Sequence, residues 1–212
     1  MFVVTMDQQG SRRVGDRVEG LLAELADLEG ADGVVRAFER TVGDEVQAVL
    51  DDPVVVVDLV LRMLRREGWS VGIGAGPVEE PLPASARAGS GEAFVLARSA
   101  VERAKSRSRP VPVAVDGVAE RSAADAEAVL TLLGSVLARR TDHGWAVVDA
   151  IEDAAGATQV EVAARLGVTQ QAVSQRLRTA LWSEEAAVRP LAARLLDEAA
   201  GAHEAGDAKG DR

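Results

Sequence analysis

Short runs of β-branched and aliphatic residues recur along the first part of the chain and stop near Arg121, after which every apolar pattern has helical spacing. That switch limits the chain to an α+β organisation, a sheet with its crossover helices followed by an all-helical segment. The strand-like runs are Phe2–Met6, Val34–Thr41, Glu45–Leu50, Trp69–Gly76 and Val111–Val115. Helical patterns fall between them at 15–28, 53–67 and 91–106. The order is βαββαβαβ, and its first six elements predict a ferredoxin-like arrangement with the helices on one face of an antiparallel sheet. Gly43-Asp44 supplies a tight hairpin turn with Asp44 at its tip, and Gly72, Gly74 and Gly76 predict close backbone approach on one face of the fourth strand.

Beyond residue 121 the periodicity predicts helices at 124–140, 145–155, 160–166, 170–182 and 184–200. The expected division is therefore a sheet domain at 1–117, a helical domain at 118–200 and a flexible tail at 201–212 with no apolar face. The stripe of Val129, Leu132, Leu133, Val136 and Leu137 suits packing between domains or between two copies of the chain. At 47% hydrophobic but only 3% aromatic residues, the cores must be built from Ala, Val and Leu.

The formal net charge of −10 opposes coating of nucleic acid or an anionic membrane by bulk attraction, so any contact with DNA needs a locally basic face. With no Cys and two His far apart, disulfides and thiolate zinc sites are excluded. The first ten residues lack the pattern of a signal peptide, and the longest aliphatic run, Val54–Val57, is too short to span a bilayer. A cytoplasmic protein without membrane contact is the expectation.

Thr158–Ala180 carries the required basic face. Thr158 and Glu161 form the reciprocal capping pattern that begins a helix, Val162, Ala163 and Leu166 supply its inner side, and Gly167 provides the turn. Thr169 caps a second helix on which Val173 and Leu177 point inward. At about 100° per residue, Gln170, Gln171, Ser174, Gln175 and Arg178 are left on the outer side, with Arg165 and Arg176 flanking where phosphates would lie. Gln and Arg make paired hydrogen bonds to adenine and guanine edges in the major groove. These residues predict a helix-turn-helix that reads duplex DNA; a helical hairpin used only for protein contacts is the alternative.

The strand order and glycine-marked segments of residues 1–116 resemble the palm of class III nucleotidyl cyclases and diguanylate cyclases, and the whole chain resembles the SatD family, which joins such a segment to a helix-turn-helix. The resemblance implies metal ligation by Asp7 and Asp44, holding Mg²⁺ with a nucleotide, because hard divalent cations take oxygen ligands. It implies further that Arg40 and Glu92 contact a base; Arg12 and Arg13 stand close enough in sequence to Asp7 to reach phosphates there, and the alternative is that they are ordinary solvated charges. Two cyclase positions that steady the transition state are occupied here by Val95 and Ser99, which implies nucleotide binding without turnover.

The expected function is thus a homodimeric DNA-binding transcription regulator whose cyclase-like domain dimerises and senses a nucleotide. The alternatives are a metal-dependent nucleotidyl transferase localised by its helix-turn-helix and a protein-interaction adaptor.

Overall fold

The computed structural model describes residues 1–201 except residue 155, so that the tail expected at 201–212 lies outside the described residues save for its first member. Five strands, β1 (Phe2–Gln8), β2 (Val34–Arg40), β3 (Glu45–Leu50), β4 (Trp69–Ala75) and β5 (Val113–Gly117), form one sheet in the order β2-β3-β1-β4-β5. All neighbours are antiparallel except β4 and β5, which run parallel, so the sheet is mixed and the fold α+β. β1 is the central strand, and its Phe2, Val3, Val4 and Met6 are almost wholly buried because both faces of the sheet are covered.

Helices α1 (Ser11–Val14), α2 (Val18–Glu24), α3 (Pro53–Arg66) and α4 (Glu92–Ala104) connect the strands. Alternation along β1 sends Phe2, Val4 and Met6 to one core with Val18, Leu21, Val56, Val60 and Met63 of α2 and α3. Val3 faces the other way and meets Ala93 and Ala97 of α4. The two helices within the first six elements, α2 and α3, therefore share one face, and α4, which follows them, takes the other. The β3–α3–β4 and β4–α4–β5 connections join parallel strands and step in the same direction along the sheet, yet their helices lie on opposite faces, so they have opposite hand. A right-handed connection is the rule. The face opposite α4 is filled by α3, α5 (Glu120–Leu137) and α9 (Trp182–Ala199).

Glycine makes α4's position possible. A Cβ at Gly72 would stand 2.2 Å from the Val101 nitrogen, and one at Gly74 would stand 2.0 Å from the Ala93 oxygen. The helix backbone lies directly on the strand, with no room for a side chain between them.

Several boundaries depart from the periodicity, each for a local reason. Asp7 lies within β1 rather than at its end, paired across to Glu45 and Ser70. The helical pattern at 15–28 is broken into α2 and a 3-10 turn at Ala26–Leu28, after the single turn of α1. β5 starts at Val113 because Pro110 and Pro112 have no N–H to offer the ladder. It is held at its edge position by Glu127 of α5, which accepts the Val115 N–H at 2.9 Å and the guanidiniums of Arg103 and Arg109 at 2.7 and 2.6 Å.

The division of the cores also departs from the expected boundary at 117/118. Ala126, Leu130 and Leu133 of α5 and Ala192, Leu196 and Ala199 of α9 belong to the same core as the sheet. Only α6 (Asp142–Glu152), α7 (Gln159–Leu166) and α8 (Gln170–Thr179) close a separate core, of Val147, Val148, Val162, Ala163, Val173 and Leu177. The helical segment is therefore an insertion between two helices that complete the sheet layer.

Two outcomes test this account. Gly74→Ala should destabilise the protein by about 1–3 kcal/mol or more through overpacking, whereas Gly20→Ala, in an open position of α2, should be neutral or slightly stabilising; urea unfolding followed by circular dichroism measures both. Burial is the largest influence on Glu127 and opposes its charge, but Arg103, the Val115 amide and Arg109 together hold its carboxyl below the ordinary glutamate range. Its contribution to stability is then present above the unfolded-state pKa and lost as pH falls through the lower folded value. Glu127→Gln should remove that part of the acid dependence and lower stability at neutral pH.

Candidate nucleic-acid interface

The α7–α8 unit is assembled from local signals. The Thr158 hydroxyl accepts the Glu161 N–H, and the Glu161 carboxylate accepts the Thr158 N–H at 2.8 Å, closing both ends of the capping box. Gly167 ends α7 at φ 64° and ψ 33°, a left-handed conformation that glycine adopts without cost. The Thr169 hydroxyl then accepts the Ala172 N–H at 3.2 Å and starts α8.

On α8, Val173 and Leu177 are buried against α6 and α7, while Gln170, Gln171, Gln175 and Arg178 are exposed and Ser174 and Arg176 half-buried. α8 contains no carboxylate. Arg178 donates to the Gln175 oxygen at 2.7 Å, so that the two side chains present a linked donor and acceptor pair. Arg165 is turned toward Asp153, at 3.3 Å, an exposed pair that gains little and that a phosphate would compete with readily. Seven of the eight predicted residues thus lie on or beside one outward face or its cap, and Arg165 is the one drawn aside.

A second arrangement ties this unit to the sheet layer. Arg140, in the α5–α6 turn, has a side chain with no exposed surface and pairs with the equally buried Glu185 of α9 at 2.5 Å. It also donates to the carbonyl of Ala180, which caps the end of α8, at 2.8 Å, placing a cation where the helix dipole is negative. Glu185 pairs in turn with Arg189, which reaches Asp58 of α3 at 3.2 Å. Trp145 of α6 is clamped between the guanidiniums of Arg65 and Arg140, 3.9 and 4.3 Å from its ring centre, and Arg65 pairs with Asp149 at 2.6 Å. Nothing in the sequence pattern singles these residues out. Arg140 and Glu185 are 45 positions apart, and an Arg after a helical pattern looks like any solvated charge.

The residues carried by the cyclase resemblance do not gather into one site. Asp7 and Asp44 do fall at the same end of neighbouring strands, with the Gln8 N–H donating to the Asp44 carbonyl at 3.2 Å. Asp7, however, is paired with Lys105 at 2.9 Å, a partner 98 positions away that no spacing rule reveals. Burial pushes the Asp7 carboxyl up, Lys105 draws it down, and the neighbouring charges of Asp44 and Glu45 push it up again. Among the described residues no group of three or more Asp, Glu, His or Cys gathers to hold a metal ion, and the Asp7 carboxylate is paired with the Lys105 ammonium. Arg40 is engaged by Asp16 at 2.7 Å and Glu19 at 3.5 Å. Glu92 opens α4 beside Pro77, at the Phe2–Ala75 end of the sheet, opposite to the Asp7 end. Arg12 lies on α1 without a carboxylate partner among the described residues.

Comparison with protein-family models, with curated proteins and with solved structures finds no match. No described helix is long and apolar enough to cross a membrane.

The joint predicts a cycle of variants. Glu185→Leu alone should cost about 3–5 kcal/mol by leaving Arg140 buried without a carboxylate, Arg140→Met alone should cost less because Arg189 still pairs with Glu185, and the two together should recover much of the loss. Chemical denaturation of the four proteins measures the coupling.

Proposed function

We propose that this protein is a sequence-specific DNA-binding transcription regulator in which α7 and α8 form a helix-turn-helix and α8 enters the major groove. The observation that carries this reading is the outward face of α8, with exposed Gln170, Gln171, Gln175 and Arg178 and no carboxylate, on a chain of net charge −10. A solvated helix on so acidic a protein has no need to exclude Asp and Glu, whereas a helix beside phosphates does. The capping box and the left-handed Gly167 support the same reading, since they set the short turn between the two helices.

The sheet order β2-β3-β1-β4, antiparallel throughout, supports a ferredoxin-like sheet extended by a parallel fifth strand. We assign that layer to dimerisation, because a helix-turn-helix reads two half-sites as a pair, and Leu132 of α5, 61% exposed, is available to such a contact. The SatD-like arrangement and a cytoplasmic address belong to this proposal. The nucleotidyl-transferase reading finds no support in the placement of Asp7, Asp44, Arg40 and Glu92.

A gel-shift or footprinting experiment on the protein's own promoter region tests the proposal at several salt concentrations. Binding should be sequence-dependent, and Gln175→Ala and Arg178→Ala should each weaken it by about 1–3 kcal/mol, roughly tenfold or more, with relaxed preference at one base pair. Absence of a sequence-dependent shift, or variants indistinguishable from the parent, would overturn it.

A further inference from the structure

The two ends of the sheet carry opposite charge. At the Ala75 end a concavity of about 470 Å³ is lined by Glu92, Asp116, Glu120 and Glu127 against the one cation of Arg103. At the Asp7 end a groove of about 660 Å³ is lined by Arg12, Arg13, Arg17, Arg66 and Arg107 against the one carboxylate of Glu67. Val14 is the single apolar side chain in the wall of that groove, which therefore offers no chamber for a ring or an acyl chain. Of its cations, Arg66 is neutralised by Glu24. Arg12, Arg13, Arg17 and Arg107 are exposed and have no carboxylate partner among the described residues, although acids outnumber bases by 34 to 24 in the chain. Acids close to them in sequence are engaged by other cations, Asp16 by Arg40 and Glu102 by Lys105.

The basic end is also the end from which the inserted helices leave the sheet layer. α5 begins at the acidic end, where Glu120 and Ala123 line the first concavity. It finishes at the basic end, where Gly134 and Ala138 share a cavity wall with Gln9 and Gly68, two residues that also line the arginine groove. Arg139 follows at once, exposed and without a carboxylate partner among the described residues, and α6 starts three residues further on. On α3, Arg65 pairs with Asp149 of α6 while its neighbour Arg66 lines the groove. The groove and the α6–α8 unit thus stand side by side. Guanidiniums drawn together from α1, the turn before α2 and the α4–β5 connection repel one another in isolation and are favourable beside a polyanion.

We infer that this groove is a second, sequence-independent contact of the protein on duplex DNA, holding backbone phosphates beside the base pairs that α8 reads. The inference rests on the helix-turn-helix reading and adds what that reading lacks. α8 brings only Arg176 and Arg178 to a chain of net charge −10, too little by itself to draw the protein to a phosphate lattice. Segregation of charge supplies the rest: the acidic end is held away from the duplex and the basic end, with the reading helix, is turned toward it. Each planar guanidinium matches the oxygens of a phosphate, and no base edge, metal ion or free nucleotide takes part.

The test is fluorescence anisotropy of the full chain on the promoter fragment that it protects in footprinting, and on an unrelated duplex of the same length, across a series of salt concentrations. Arg13→Ala with Arg107→Ala should weaken binding to both duplexes alike, by about tenfold or more at low salt, and make the slope of log affinity against log salt shallower by about 2. Base preference and the circular dichroism spectrum should stay as in the parent. Arg98→Ala with Arg121→Ala removes the same charge from exposed positions outside the groove and should change neither affinity nor slope. Gln175→Ala, in the same titrations, should relax base preference and keep the slope, so that failure of the groove and failure of the reading helix are seen separately. A groove variant with the parent's affinity or slope, or an equal loss in the Arg98 and Arg121 pair, would overturn the inference alone. So would arginine-dependent sedimentation with phosphatidylglycerol vesicles beside unchanged DNA binding. A parent chain that binds no DNA would overturn it together with the helix-turn-helix reading.

Discussion

The buried pair of Arg140 and Glu185 is the constraint on which the arrangement of the helical segment depends. Removing two charges from water is expensive, and here the cost is offset only because each partner is held from several sides. Arg140 is fixed by Glu185, by the Ala180 carbonyl and by the face of Trp145, while Glu185 is shared with Arg189. The pair can exist only where α5, α6, α8 and α9 meet, so the end of α8 and the start of α9 share one buried point. Hydrophobic packing alone would hold these helices together; a buried pair with defined partners also specifies how they meet.

That point connects outward in a chain of contacts. Arg189 continues from Glu185 to Asp58 on α3, and Arg65, also on α3, covers the second face of Trp145 and pairs with Asp149. Trp145 belongs to the edge of both cores, which makes it the physical joint between the sheet layer and the inserted helices. The opposite side of the sheet is governed by a different constraint, the absence of side chains at Gly72 and Gly74. It lets α4 settle on β4 and leaves its far end, with Lys105 and Arg107, beside the arginines of α1. Packing on one face thereby brings cations to one end of the sheet.

The legible parts of the fold were those carried by local chemistry. The strand runs, the caps at Thr158 and Thr169, the left-handed turn at Gly167 and the glycine-spaced fourth strand can be read within a few residues, and each is present in the structure. The outward face of α8 was legible for the same reason, since helical spacing alone separates Val173 and Leu177 from Gln171, Gln175 and Arg178. What could not be read were pairings over long separations, such as Asp7 with Lys105 and Arg140 with Glu185. A lone charged residue looks the same whether water or a partner surrounds it.

By itself the sequence determined the α+β class, the order of the elements and the face that α8 turns outward, because period, capping and glycine conformation act over a few residues at a time. Only the tertiary structure decided that α5 and α9 complete the sheet layer, that α4 takes the opposite face and that Glu92 and Asp7 stand at opposite ends of the sheet. Those outcomes depend on which faces were already filled and which charges could be buried together. Such competition between distant segments leaves no trace in local spacing.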